Sequence, residues 1–391
     1  MADTENNKNS NSPAERAQGN APALRFPGFT EPWQKIRLSD IATFSKGTGI
    51  SKDQRSEEGK PCILYGELYT TYTATNITNV ISRTNLPEEG LIKSMANDVI
   101  IPSSGETAED IATARCVLKN DVFLGGDLNI IRLNNDSGSF LCYQLNGVRK
   151  WEIAKLAQGV SVVHLYKESL KSLVVSIPSI NEQSKIAYFL QLLDERIATQ
   201  RRLIEKLETL IKGIREHLFK NMSGDVACLS NIAEIYQPQT ISSTELLDNG
   251  FPVYGANGVI GYYDSYNHET EQICITCRGN TCGTVNYSLA KSWITGNAMV
   301  VNADNHSDIV CKRFLFHYLS EYNFKSIISG SGQPQIVRSP LQKLKVLLPT
   351  LDKQTQIAIF LDTILHKTDI ENSELDLLQK QRQHLLQRMF I

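Results

Sequence analysis

The stretch LKSLVVSIPSINEQSKIAYFL, residues 170–190, returns as LQKLKVLLPTLDKQTQIAIFL at residues 341–361. Nine of the 21 aligned positions are identical, among them Pro178 and Pro349, Gln183 and Gln354, and Ile186-Ala187 and Ile357-Ala358. Small-period solenoid units run about 20–50 residues, far shorter than this 171-residue offset. Each copy has room for a domain followed by a helix, so the chain reads as two related modules in pseudo-twofold relation.

Outward from that core the repeat continues. Leu38-Ser39-x-Ile41-Ala42 answers Leu229-Ser230-x-Ile232-Ala233, and Tyr65-Gly66 answers Tyr254-Gly255. Gly105-x-Thr107 answers Gly279-x-Thr281, and Gly126-x-x-x-Ile130-Ile131 answers Gly296-x-x-x-Val300-Val301. From Tyr65 to Gly105 is 40 residues, but from Tyr254 to Gly279 only 25, so the two heads differ most there.

Short apolar runs bounded by Gly, Asn and Ser predict strands at 99–102, 122–124, 130–133, 273–277, 298–301 and 344–348. Helical pieces are predicted near 140–157 and 311–328. After each proline a long helix follows. Ser179 and Glu182 fit a capping box at the first, and Gly224 fits its stop. The first helix carries Ile186, Leu190, Leu193, Ile197, Gln200, Ile204, Leu207, Ile211, Ile214 and Leu218 at steps of 4 and 3, a coiled-coil seam. The second repeats the register with Ile357, Leu361, Ile364, Leu375 and Leu378, interrupted by polar Thr368, Glu371 and Arg382. One such helix cannot bury its apolar stripe alone, so the two should pair antiparallel and serve as ruler and docking surface.

The expected fold is α+β, with two β-rich recognition domains separated by two long antiparallel coiled-coil helices. Its segments are a disordered tail at 1–24, a first head at 25–178, a helical spacer at 179–223, a second head at 224–349 and a second spacer at 350–391. The tail is rich in Asn, Ala, Ser and Pro and poor in large apolar groups.

At 391 residues, 41% hydrophobic and 21% charged, the composition is that of an ordinary globular chain. No run approaches 18 apolar residues and no basic-then-apolar leader opens the chain, which favours a cytoplasmic protein without a membrane span. A net charge of −2 argues against a strongly electrostatic nucleic-acid binder acting alone. A partner could supply most phosphate contacts.

Enzyme signatures are missing. There is no phosphate-cradling G-x-x-x-x-G-K-[ST] loop, and the seven histidines form no local constellation. Cys274-x-x-Cys277 begins like a zinc site, but no second pair follows. Buried thiols are the expected reading, with no metal.

The loops suit recognition better. In the first head the candidates are Tyr65, Glu67, Tyr69, Thr71 and Tyr72, then Ser103, Ser104 and Thr107, then Ser161 and His164. In the second they are Tyr254 and Asn257, then Arg278, Asn280 and Thr281, then Ser331, Gln333 and Gln335. Arg suits guanine and Asn or Gln adenine, while hydroxyls and backbone amides suit phosphates. The bland alternative is ordinary polar loop chemistry.

Two variable domains, each followed by a long helix, resemble the specificity (S) subunit of type I restriction–modification enzymes. Leu24-Arg25-Phe26-Pro27-Gly28-Phe29, Gly126-Asp127-Leu128-Asn129, Cys277-Arg278-Gly279, Trp293-Ile294-Thr295-Gly296-Asn297 and Gly330-Ser331-Gly332-Gln333 look like that family too. The resemblance covers nearly everything from residue 24 onward. It implies a non-catalytic reader of an asymmetric bipartite sequence in double-stranded DNA. Two methylation (M) subunits and restriction (R) subunits would assemble on it. S-adenosylmethionine, ATP and Mg would be bound by those partners, and no cofactor by this chain. One departure is that residues 158–164 lack the second Gly and the Gln of their counterpart at 330–336. The alternative is a coiled-coil scaffold whose two β-rich heads bind protein or glycan.

Overall fold

The structure, a computed structural model, describes residues 20–159, 161–255, 257–330 and 332–391. It forms two compact units. One runs to Arg202 and takes in Ser373–Ile391; the other is Leu203–Asn372. Each unit therefore contains one head, the first half of the helix that follows it, and the last half of the other long helix.

The first head is built on a five-stranded sheet in the order Ala42–Lys46, Leu128–Leu133, Asp98–Pro102, Arg115–Val117, Asn76–Ile77. The second has the same sheet without the last strand: Glu234–Tyr236, Ala298–Asn302, Ile273–Thr276, Val285–Tyr287. The central strands are buried on both faces, which explains their continuous apolar runs. A smaller three-stranded sheet stands in each head. It joins Lys60–Ile63 to Arg83–Thr84 and Phe123–Leu124, and Phe251–Tyr254 to Val259–Tyr263 and Trp293–Ile294. Residues 64–82 of the first head thus stand where the second has only the four positions 255–258 between its paired strands. The extra edge strand and a short helix, Glu67–Thr70, come from that insertion.

Each head closes on itself. Gln34–Arg37 pairs antiparallel with Val174–Ile177, and Asp225–Cys228 with Lys345–Leu348. Gly224, expected to stop the helix, lies beyond its end at Lys220. It is glycine for another reason: a Cβ there would collide with the Leu348 carbonyl as the second ribbon begins. The helical stretch expected near 140–157 is two helices, Gly138–Asn146 and Lys150–Leu156, broken at Gly147. Its counterpart is Lys312–Glu321 with a 3-10 turn at Phe324–Ser326.

The long helices are Ile180–Lys220 and Leu351–Arg388. At 41 residues the first spans about 60 Å. They run antiparallel within each unit. In the first, Arg196 reaches Glu374 at 2.7 Å and Arg382 reaches Asp194. In the second, Ile211 and Arg215 share a hollow with Leu365 and Asn372. Among the described residues no helix is long and apolar enough to cross a membrane.

Glu182 does not serve the expected capping box. Its two oxygens accept a paired hydrogen bond from Arg25 Nε and a terminal guanidinium nitrogen, both at 2.7 Å. That bond ties the leading segment to the first long helix. The tail expected through residue 24 falls mainly on residues 1–19, outside the described residues. The Asn20 carbonyl accepts from Trp33 N, and Leu24 N donates to Arg388 O.

Candidate nucleic-acid interface

The repeated Gln of the opening motif pins each head to its helix. Gln183 Oε1 accepts from Ser137 N, where the first head's helix begins, while its Nε2 donates to Pro178 O and Asp136. Gln354 Oε1 accepts from Cys311 N and its Nε2 donates to Ile309 O and Pro349 O. Both side chains are buried, so each otherwise orphaned backbone group finds its partner there.

The heads' own helices align through Phe140-Leu141 and Phe314-Leu315, with Leu145 and Leu319 one turn on. Their next inward residues are Tyr143 and His317. Tyr143 donates to Asp194 at 3.0 Å, and Arg382 Nε donates to the other Asp194 oxygen at 2.5 Å. In the second unit Asp362 faces His317 Nε2 at 2.8 Å and Arg313, whose Nε lies 2.9 Å away. Burial drives the Tyr143 hydroxyl above its ordinary pKa, and the Asp194 carboxylate adds to this. Burial lowers His317 from 6.5 to about 4, despite the Asp362 hydrogen bond. Asp362 is held below the usual carboxylate value because the Arg313 and His317 bonds together outweigh burial.

Asp194 is absent from the expected seam. The structure buries it and leaves Leu193 half-buried. The signal was Arg382, since a cation at a seam position calls for a buried carboxylate within reach. Ile186, Leu190, Ile197, Ile204, Ile357, Leu361 and Leu378 are buried; Leu207, Ile364 and Leu375 are half-buried. The seam is consumed inside the chain. Beside it stand exposed apolar side chains at repeat-equivalent places: Ile180 with Leu351, and Tyr188 with Ile359. Leu192 and Phe360 flank them.

Several loop candidates turn inward. Glu67 is 6% exposed, and its carboxylate accepts from Leu64 N at 3.0 Å and from the Ser82 hydroxyl. The Tyr72 hydroxyl accepts from Ile81 N, and the Tyr254 hydroxyl from Leu289 N, the same structural role in the two heads. Ser103 and Ser104 are buried, and exposed Thr107 caps a one-turn helix by accepting from Asp110 N. Tyr65 and Tyr69 are half-buried and Thr71 exposed. Tyr65 and Thr71 line a hollow of about 450 Å³ with Lys52 and Arg55.

The remaining candidates converge. Residues 103–107 and 158–164 meet where Ser104 pairs with His164 across a short antiparallel ribbon. In the second head Arg278 pairs with Gln335 at the equivalent place. His164, Ser161, Asn257, Arg278, Asn280, Thr281, Gln333 and Gln335 are all exposed. Arg278 and Gln335 line a hollow of about 330 Å³ with Gln237 and Arg338. Ser331 lies outside the described residues.

The Cys274 thiol is pushed up to about 12 by burial, and Cys277 Sγ lies 3.2 Å from the Asn297 carbonyl. Neither is poised as the thiolate a metal needs. Among the described residues no group of three or more His, Cys, Asp or Glu could hold a metal ion.

Known proteins resemble this arrangement along most of its length. The S subunit of a type I restriction–modification system from M. genitalium superposes with a TM-score of 0.70 at 20% identity, covering 95% of this chain and 99% of that one. A chain from a study of assembly and conformational transition of the type I R-M system gives 0.54 at 17%, covering 94% and 99%. A putative type I restriction enzyme specificity subunit from Haemophilus influenzae is 29% identical over 161 residues, 40% of either chain. A type I restriction enzyme specificity subunit from Methanocaldococcus jannaschii is 21% identical over 93% of this chain and 92% of its own. The profile of the type I restriction modification DNA specificity domain matches twice, at residues 30–209 and 224–380. With a copy of that domain in each head, the chain belongs to the type I restriction modification DNA specificity family.

Proposed function

We propose that this chain is the non-catalytic DNA-reading subunit of a type I restriction–modification complex, with each head reading one half of an asymmetric bipartite target in double-stranded DNA. The observation that carries this is a duplicated frame with unequal faces. The sheets, closing ribbons and glutamine pins repeat, whereas residues 64–82 of the first head have only a four-residue counterpart in the second. Unequal heads read unequal half-sites, so the target is not a palindrome.

The long helices hold the half-sites at a fixed spacing and dock the other subunits. Support for docking comes from the doubled exposed apolar face, Ile180 and Tyr188 in one copy and Leu351 and Ile359 in the other. Two like faces suit two copies of one methylation subunit, with restriction subunits joining that assembly. S-adenosylmethionine, ATP and Mg belong to those partners, and a net charge of −2 leaves them much of the phosphate contact.

Methylome sequencing of a host expressing the chain with its methylation subunits tests this. A non-palindromic bipartite modified motif is expected; a palindrome, or no modified motif, would overturn it. If the same complex shows no salt-dependent duplex binding, a protein- or glycan-binding scaffold becomes the better account.

A further inference from the structure

The insertion that sets the first head apart, residues 64–82, is held by side chains from outside it. Arg115, buried on the strand beside Asn76–Ile77, donates from Nε to Leu68 O at 3.0 Å and from a terminal nitrogen to Tyr72 O at 2.6 Å. Farther along, the insertion meets both long helices. Asn76 Nδ2 donates to Gln191 Oε1 at 3.1 Å, and Gln191 Nε2 donates to Glu195 on the same helix at 2.9 Å, which orients the acceptor. Thr75 N donates to Asp194 Oδ2 at 3.4 Å. Arg382, from the second long helix, donates to Asp194 through Nε and to Thr75 Oγ1 at 3.2 Å through a terminal nitrogen. Thr75 is fully buried, so its amide and hydroxyl have these partners in place of water.

The second head shows what Arg115, Gln191, Asp194 and Arg382 are for. Its sheet register sets Asn286 opposite Cys274 where the first head sets Arg115 opposite Ile100. The 171-residue offset matches Gln191 to Asp362, and Asp194 and Arg382 to Leu365 and Ile211. Asp362 turns to His317 and Arg313 of its own head. Where the insertion is absent, each of the four is thus replaced by a residue of different length or charge. An ion pair in an apolar seam costs desolvation, and the second unit fills the same two places with aliphatic side chains. Packing of the seam does not call for the pair; holding the insertion does.

We infer that Gln191, Asp194 and Arg382 are positioning residues, which fix the insertion of the first head on the long helices so that reading of the first half-site depends on that placement. The inference rests on the DNA-reading function proposed above and assigns no base to any side chain. It adds an asymmetry of control. The first head's distinguishing segment is placed by helices of both repeats, so its half-site is the one that answers to changes in those helices.

The experiment uses the full chain in complex with its methylation subunits, as wild type, as Asp194→Leu with Arg382→Ile, and as Gln191→Ala. The double variant copies the aliphatic pair of the second unit, which keeps the seam packed while removing both Thr75 partners. Hydrogen exchange is followed in residues 64–82 and in the strand Asp98–Pro102, and the modified motif is sequenced from hosts carrying each complex. Exchange in 64–82 should quicken about tenfold or more in the double variant and about threefold in Gln191→Ala, while the strand holds. The motif should lose discrimination in one half-site and keep the other half-site and the spacing. Wild-type protection throughout 64–82, an equal loss in the strand, or relaxation of both half-sites would each overturn the inference. So would faster exchange with an unchanged motif, since the insertion would then be held without serving the reading. If the double variant fails to assemble, Gln191→Ala decides by the same criteria. Absence of any bipartite motif with the wild-type chain would instead end the DNA-reading proposal, a result separate from the exchange comparison.

Discussion

At the first head's junction with its helix, Tyr143 donates to Asp194, and the cation that neutralises Asp194 is Arg382, from the second repeat. At the second head's junction, His317 and Arg313 both come from the same repeat as the Asp362 they hold. The positions that correspond to Asp194 and Arg382 by the 171-residue offset are Leu365 and Ile211, an apolar pair. One frame has thus been stabilised twice by different means. The first head takes its counter-charge from the far end of the chain. The second takes only Arg215, whose guanidinium donates toward His317 Nδ1 at 3.1 Å.

The largest effect that would break this comparison follows from removing the shared cation. Arg382→Met leaves a carboxylate only 8% exposed without its guanidinium, a loss of about 3–5 kcal/mol. Arg313→Met should cost less, because Asp362 is a third exposed and keeps His317. Hydrogen exchange of the central strands, Asp98–Pro102 and Ile273–Thr276, would report each unit separately. Equal losses would show that the junctions are not different in the way argued. Asp194→Leu combined with Arg382→Ile, which copies the apolar pair of the second unit, should recover most of the stability.

Next in size is the reciprocal packing of helix ends. Phe390, from the end of the second helix, packs at 5.2 Å on Phe140, and Phe219, from the end of the first, at 6.0 Å on Phe314. Phe390 is fully in the core beside Trp33, whereas Phe219 is half-buried. Phe390→Ala should cost about 3–4 kcal/mol in the first unit, and Phe219→Ala distinctly less in the second. The reverse order would mean that the leading segment, not Phe390, closes the first core.

Much of this frame was legible in the sequence because burial repeats with the chain. The strands and both long helices stand within a few residues of where apolar period and turn residues put them. Glu182 and Gly224 were misread because their local patterns, a capping box and a helix stop, are also met by partners far away in sequence, Arg25 and the Leu348 carbonyl. Glu67, Tyr72 and Tyr254 looked like loop recognition residues for the same reason: polarity in a loop does not say which way a side chain turns. The loops at 158–164 and 330–336 were visible as a pair, but their register, with Ser329 rather than Gly330 answering Gln158, and their joining to Ser104 and Arg278 needed the strand pairing.

The acid response should separate the two units by a further increment. His317 titrates at about 4 in the folded chain against 6.5 when exposed, so the unfolded state binds more protons between those values. Its contribution is complete above about pH 6.5 and is lost as pH falls toward 4, about 3 kcal/mol over the window. Within reach of the ring are Asp362, which favours the imidazolium, and Arg215 and Arg313, which oppose it. Tyr143, at the corresponding place, carries a hydroxyl raised above its ordinary value and has no proton to gain there. Exchange protection in the second head should fall between pH 6.5 and 4.5 while the first head holds. His317→Gln should flatten that difference, and a parallel fall in both heads would refute it.

The smallest expected difference is the most demanding test of sameness. Gln183 and Gln354 accept one backbone amide from the start of a head's helix and donate back to the carbonyl of the proline five residues earlier. Truncation to alanine strands one buried N–H and the carbonyls that face it, a cost of about 2 kcal/mol. Because both side chains are 1% exposed and make matching bonds, the two substitutions should cost the same to within a few tenths of a kcal/mol, each in its own unit. The one difference is the extra acceptor, Asp136 in the first head where the second offers the Ile309 carbonyl. A carboxylate acceptor strengthens that bond, so any imbalance should weigh on Gln183→Ala. If Gln354→Ala proved the costlier by a clear margin, the glutamine would be holding something in the second unit beyond the pin it shares with the first.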